Sequence, residues 1–163
     1  MPLLLRVKVR YLSRQNHGPM MWILAALLTF YPPAPAPQGT LRVVVRNIAS
    51  YEGQLLLALY REDARWLEEE GRFREKAVRL HDDGPGEIRF EELPYGIYGL
   101  AIFHDLNANA ELDKNWLGVP VEPYSFSGSP ASRWRKPRFE EASFTFREDG
   151  QEVSIELKRW IDR

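Results

Sequence analysis

Asp105, Asn107, Asn109 and Asp113 set oxygen-bearing side chains in a D-x-N-x-N-x-x-x-D spacing. They follow directly on an apolar strand, Gly99-Leu-Ala-Ile-Phe103, and a single histidine, His104. Side chains at alternate positions of a tight loop can converge on one centre, and Ca2+ accepts about six to eight oxygens from carboxylates, amides and carbonyls. The expected ligand set is Asp105, Asn107, Asn109 and Asp113 by side chain and Glu111 by its carbonyl, with Glu122 available to fold back as a third carboxylate. The loop departs from an EF-hand, because Ala110 occupies the place of the turn-forming glycine and Trp116 that of the bidentate glutamate. With two carboxylates in the loop the affinity for Ca2+ would be low, on the order of 10⁻⁴ to 10⁻³ M as in extracellular modules. The same residue types also build metal-free Asx loops, in which Asp and Asn side chains accept backbone N–H groups. A transition-metal site is disfavoured, since one histidine among hard oxygens is a poor soft donor set.

A second chemistry is conceivable at the same place. His104, Asp113 and Glu122 are the residue types of an acid–base cluster at the mouth of the loop, as a hydrolase would need. No G-x-S-x-G elbow, no H-E-x-x-H pair and no cysteine nucleophile accompanies them. The inventory therefore leans to a binding module and away from an enzyme. Further candidate contacts are Tyr124 and Trp134. The latter lies in the basic, aromatic run Ser132-Arg-Trp-Arg-Lys-Pro-Arg138, which suits an acidic glycan, a lipid headgroup, or an envelope protein or peptide.

The elements that must position these residues read as β scaffold. Leu41–Arg46, Glu75–Leu80, Glu87–Phe90, Ala142–Phe146 and Glu152–Leu157 are short β-branched or alternating runs bounded by turn residues. Gln54–Tyr60 is apolar at nearly every position, as in a central strand covered on both faces. In Leu93-Pro-Tyr-Gly-Ile-Tyr98 a tight turn leads into the strand that ends at Phe103. One short helical segment is expected within Arg61–Arg74, where the run Glu68-Glu-Glu70 reads as a solvated face. The expectation is an all-β, seven-stranded antiparallel β-sandwich with that helical segment and a long ordered loop from Asp105 to about Arg138. A loop of that length is functional or disordered, and Trp116, Leu117, Val119, Tyr124, Phe126 and Trp134 give it too much apolar mass for disorder. It is expected to pack against the end of the sandwich.

Charge and composition narrow the class. The first 39 residues hold four basic side chains and no acid, so residues 40–163 carry 18 basic and 23 acidic groups. That sign argues against nucleic acid as a partner. Cysteine is absent, which removes disulfides and thiolate zinc sites. Before Thr40, a basic stretch ending at Arg14 precedes the apolar run of twelve Met20–Tyr31 and then Pro32-Pro-Ala-Pro-Ala-Pro37. The run suits a signal-peptide core and is short for a membrane span. Residues 1–39 are thus read as a signal peptide or N-terminal anchor with a proline linker, and residues 40–163 as the β-sandwich. The expected location is periplasmic or secreted, with membrane contact only through the N-terminal segment if it stays uncleaved.

Three motifs carry a resemblance. Leu93-Pro-Tyr-Gly-Ile-Tyr98 with Phe103-His-Asp105, the Asx loop to Asp113 with Leu117–Ser127, and Pro137-Arg-Phe-Glu-Glu-Ala142 together resemble the signature of the bacterial exported family called domain of unknown function 2141. The resemblance covers roughly Leu41 to Leu157. It implies a small transthyretin-like or immunoglobulin-like β-sandwich outside the cytoplasm, with no established activity. The chain departs from the pattern at Ala108, Ala110 and Ser125, where glycines are usual. Losing a glycine restricts access to positive φ.

Overall fold

A computed structural model describes residues 35–62, 65–81, 87–128, 130 and 135–160. The expected leader or anchor before residue 35, and Trp134 with its neighbours Ser132 and Arg133, lie outside the described residues. The compact unit that concerns function runs from Ala36 to Arg163. Among the described residues no helix is long and apolar enough to cross a membrane.

Among the described residues eight strands form two sheets. They are β1 (Gln38–Arg46), β2 (Gln54–Arg61), β3 (Arg72–Arg79), β4 (Ile88–Pro94), β5 (Gly96–Asp105), β6 (Tyr124–Phe126), β7 (Ser143–Phe146) and β8 (Glu152–Glu156). One sheet has the order β4-β1-β8, the other β3-β2-β5-β6, with β7 also paired to β5. The alternation in each strand sends one row inward, so that Leu41, Val43, Phe90 and Ile155 of the first sheet meet Leu55, Leu57, Leu59, Leu100 and Ile102 of the second. The all-β sandwich is as expected.

Two details differ from expectation. The strands number eight and not seven, because Tyr124–Phe126 pairs with Ala101–Phe103; three residues are too few to show a period. The sandwich is not wholly antiparallel, since β8 runs parallel to β1. The turn at Glu148–Gly150 crosses from one sheet to the other, and Asp149 and Gly150 bond Thr40 at its far side. Alternation tells which residues face the core; it carries no information on which strand lies alongside. As expected, the Arg61–Arg74 window holds one short helical segment among its described residues, the 3-10 turn Glu69–Gly71. Gly71 presses on the Arg65 backbone so closely that an added Cβ would lie 1.9 Å from its carbonyl oxygen. The chain then enters β3, whose charged Arg72-Phe-Arg-Glu-Lys76 suits an edge strand.

The Leu93–Tyr98 motif has a structural purpose. Its turn carries the chain from β4 in one sheet to β5 in the other. The buried Tyr98 hydroxyl donates back to the Pro94 carbonyl at 2.7 Å, which pins the corner. As the central strand of its sheet, β5 then delivers its last residues, His104 and Asp105, to the start of the long loop.

Candidate functional site

The loop after β5 closes on itself through carboxylates. Asp105 pairs across the sheet with Gln54, whose side-chain amide donates to it at 2.8 Å. The carboxylate is fully buried, at 0% exposure. Its two oxygens accept the backbone N–H groups of Asn109 at 3.1 Å and Ala110 at 2.8 Å. Burial by itself pushes this carboxyl up. The bonds from Gln54 and from the Ala110, Asn109 and Ala108 amides outweigh burial and hold it below the usual aspartate value.

The amides further along form two Asx turns. Asn107 Oδ1 accepts the Asn109 N–H at 3.1 Å, and Asn109 Oδ1 accepts that of Glu111 at 2.8 Å. This leaves the side-chain NH2 groups of both asparagines directed at Asp113, whose oxygens accept them at 2.7 and 3.2 Å. Glu122 does fold back. It is 3% exposed, and its two oxygens accept the backbone N–H groups of Leu106 at 2.8 Å and Asp113 at 3.1 Å. The side chain of Glu111 is exposed. Every carboxylate oxygen of Asp105, Asp113 and Glu122 thus has an N–H donor, the hydrogen bonding of an Asx clasp. Among the described residues, no three His, Asp or Glu side chains are grouped as metal ligands.

Ala108 and Ala110 adopt φ of 57° and 65°, so the restriction expected from losing glycine does not hold. The left-handed backbone that glycine would favour is kept with a Cβ present. Ser125, by contrast, sits in β6, where extended backbone makes no demand for glycine.

His104 points into the sandwich in register with Leu55 and is 1% exposed. Its Nε2 lies 2.7 Å from the Glu52 carbonyl oxygen. A carbonyl only accepts, so Nε2 carries a proton; Nδ1 is buried with no hydrogen-bond partner among the described residues. The histidine is therefore on the inner face of the strand. Asp105, the next residue, is on the outer face.

The long loop does not cap the end of the sandwich. It lies over the outer face of the five-stranded sheet and encloses a groove of about 1180 Å³. Ala58 and Ala101, directly paired across β2 and β5, form a floor of small side chains, with the Leu56–Phe103 pair beside them. Tyr124, Leu112, Val119 and Pro120 are among the walls. β2 is the interior strand expected, but it is not buried on both faces: Leu55, Leu57 and Leu59 are buried in the sandwich core, while Leu56 and Ala58 are half-buried and line this groove.

Trp66, within the Arg61–Arg74 segment, organises one end of that face. Its ring packs edge-on to Tyr60 at 4.9 Å and Phe139 at 5.7 Å, and its N–H donates to the Pro137 carbonyl at 2.8 Å. Gly99 lies beneath it. A Cβ there would stand 2.9 Å from the indole and 3.1 Å from Phe139, so only glycine permits the approach. At the other end, a tight turn is held by Asn115 Oδ1, which accepts the N–H groups of Leu117 and Val119. This turn presents Trp116 and Leu117 to solvent, 90% and 64% exposed. Both had been expected to pack inward.

Charges line the rim. Arg72 pairs with Glu75 at 3.0 Å. Arg135 grips Glu141 through two hydrogen bonds of 2.8 and 2.6 Å. That grip and the Arg138 N–H lower the Glu141 carboxyl to about 2. Lys114 and Lys136 also line the groove and make no ion pair among the described residues.

Of the residues singled out from sequence, Asp105, Asn107, Asn109, Asp113 and Glu122 come together in one clasp, and Tyr124 joins the groove. His104 stands apart on the inner face. The groove itself was missed. Its signal was the placing of small residues, Ala58, Gly99 and Ala101, among bulky ones, legible only once β2 and β5 are known to pair.

No curated protein and no solved structure matches the chain. A family model matches residues 43–154, well over half of the chain. The β-rich sandwich and the motif-bearing clasp thus belong to a chain that is a member of the family described as "Uncharacterized protein conserved in bacteria (DUF2141)".

Proposed function

We propose that the protein is an exported accessory module of the cell envelope that holds an apolar ligand in the groove on the outer face of its five-stranded sheet. The groove carries the reading. It is large enough for a small-molecule ligand, its floor and most of its walls are apolar, and a fixed clasp forms one side of it. Export rests on the basic stretch, the short apolar run and the proline linker before Thr40. In this reading the Asx clasp is a structural wall, whose carboxylates are occupied by N–H groups. A Ca2+ ion bound there would have to compete with the asparagine amides for Asp113.

The competing reading, a hydrolase using His104, Asp113 and Glu122, has less support. The histidine Nε2–H is engaged by Glu52, and both carboxylates are engaged within the loop. Titration of the full chain with the neutral dye Nile red tests the proposal. Saturable fluorescence enhancement is expected, and it should be lost in Ala101→Trp, which fills the floor. Ala101→Leu, a milder filling, should weaken it if the tryptophan variant does not fold. No enhancement with folded wild-type protein would sink the proposal.

A further inference from the structure

We infer that the ligand is a fatty-acid-type carboxylate, its chain along the Ala58–Ala101 floor and its head at a lysine of the rim, Lys114 or Lys136. The inference rests on the groove reading above and adds the chemical class. Three observations lead to it.

The first is what the floor withholds. The backbone N–H and C=O groups of β2 and the second half of β5 are taken up by the ladders to β3, β5 and β6. A ligand lying on Ala58 and Ala101 is therefore offered methyl groups and no hydrogen bonds. Sugars and nucleotides require convergent donors and acceptors, which this floor does not supply. A hydrocarbon chain loses nothing there. From Leu56 to Tyr60, both on the lining, β2 runs about 13 Å at the usual rise per residue, enough for a medium to long acyl chain to lie extended.

Charge at the rim is the second. Residues 40–163 carry more acidic than basic groups, 23 against 18. At this groove the balance is reversed. Among the described residues, the one acid on its lining, Glu75, is neutralised by Arg72, while Lys114 and Lys136 make no ion pair. Two ammonium groups with no ion pair among the described residues, beside an apolar trough, favour an anionic head over a neutral or cationic one.

The third is the lip. Leu117 both lines the groove and is 64% exposed, and Trp116 beside it is 90% exposed. Apolar surface therefore continues from the trough out into solvent on a turn fixed by Asn115. A chain arriving from a lipid surface meets the apolar side chains of Trp116 and Leu117 on that path. A water-soluble ligand would gain nothing from it.

Calorimetric titration of the full chain with three amphiphiles of equal chain length, each below its micellar concentration, tests the inference. Dodecanoate should bind saturably, about tenfold more tightly than dodecanol, the scale of one charge-assisted contact, and dodecyltrimethylammonium should bind least. The double substitution Lys114→Glu with Lys136→Glu lies on the surface and should leave the melting temperature unchanged. It should remove the preference for dodecanoate while leaving dodecanol affinity as it was. Equal binding of dodecanoate and dodecanol, unaffected by the lysine changes, overturns the fatty-acid assignment and leaves the apolar groove standing. Absence of binding by all three, in protein that also fails to bind Nile red, overturns both.

Discussion

The buried carboxylate of Asp105 accepts the backbone N–H of Ala110 at 2.8 Å, and Ala110 makes that bond with its own φ at 65°. One residue is strained so that the other can stay ionised. For an L-residue the left-handed conformation costs on the order of 1–2 kcal/mol, and Ala108 meets the same demand at φ 57°. Glycine removes the strain but brings a larger entropy loss on folding of roughly 0.5–1 kcal/mol. Ala108→Gly and Ala110→Gly are each expected to stabilise the protein by about 0.5–1 kcal/mol, seen as a rise of a few degrees in thermal melting. A lowered midpoint in either variant would show that the alanine methyl contributes packing that outweighs the strain.

Acid sensitivity follows from the same carboxylate. Asp105 titrates below the ordinary aspartate value in the folded chain. A depressed folded pKa contributes stability that is fully present above the unfolded value of about 3.9 and is lost as pH falls through the folded value. Asp105→Asn should therefore be less stable than wild type near neutrality, by about 1–3 kcal/mol for a buried acceptor exchanged for a donor. The gap should narrow as pH falls below about 4. Denaturant melts from pH 7 to pH 2 check this; a gap that stays constant across the range is incompatible with the assignment.

A cation test addresses the clasp directly. Its carboxylate oxygens already accept N–H groups from Gln54, Asn107, Asn109 and the backbone. Millimolar Ca2+ against chelator is therefore expected to move the melting midpoint by less than about one degree, the limit of negligible linkage. Saturable stabilisation by several degrees, abolished in Asp113→Asn, would instead establish Asp113 and its neighbours as a calcium site.

How much of this was legible beforehand divides along a physical line. Strand residues such as Leu41, Val43 and Ile155 declare their facing by alternation, and Asp105, Asn107 and Asn109 declare a turn by their side-chain chemistry; both are local. The parallel placing of β8 beside β1, and the meeting of Ala58 with Ala101, depend on long-range pairing that no local pattern encodes. Trp116 shows the same divide. Its apolar character suggested burial, yet the Asn115 turn, fixed by four local hydrogen bonds, holds it outward. Ala110 is the reverse case, where residue type argued against a conformation that the hydrogen bonds to Asp105 then impose.

The contact between Gly99 and Trp66 tests whether the end of the groove is held by close packing. A methyl at residue 99 would meet the indole at 2.9 Å and Phe139 at 3.1 Å, and the indole is tied by its N–H to Pro137. It cannot yield without giving up that bond. Gly99→Ala is therefore expected to cost about 1–3 kcal/mol by overpacking. Trp66→Ala should cost about 3–5 kcal/mol through the lost aromatic cluster with Tyr60 and Phe139. In the Trp66→Ala background the added methyl has room, so the second substitution should be nearly neutral. The coupling energy from the four denaturation curves should approach the whole Gly99→Ala penalty. Additive costs would mean that the glycine is required for the backbone of β5 and not for the indole above it.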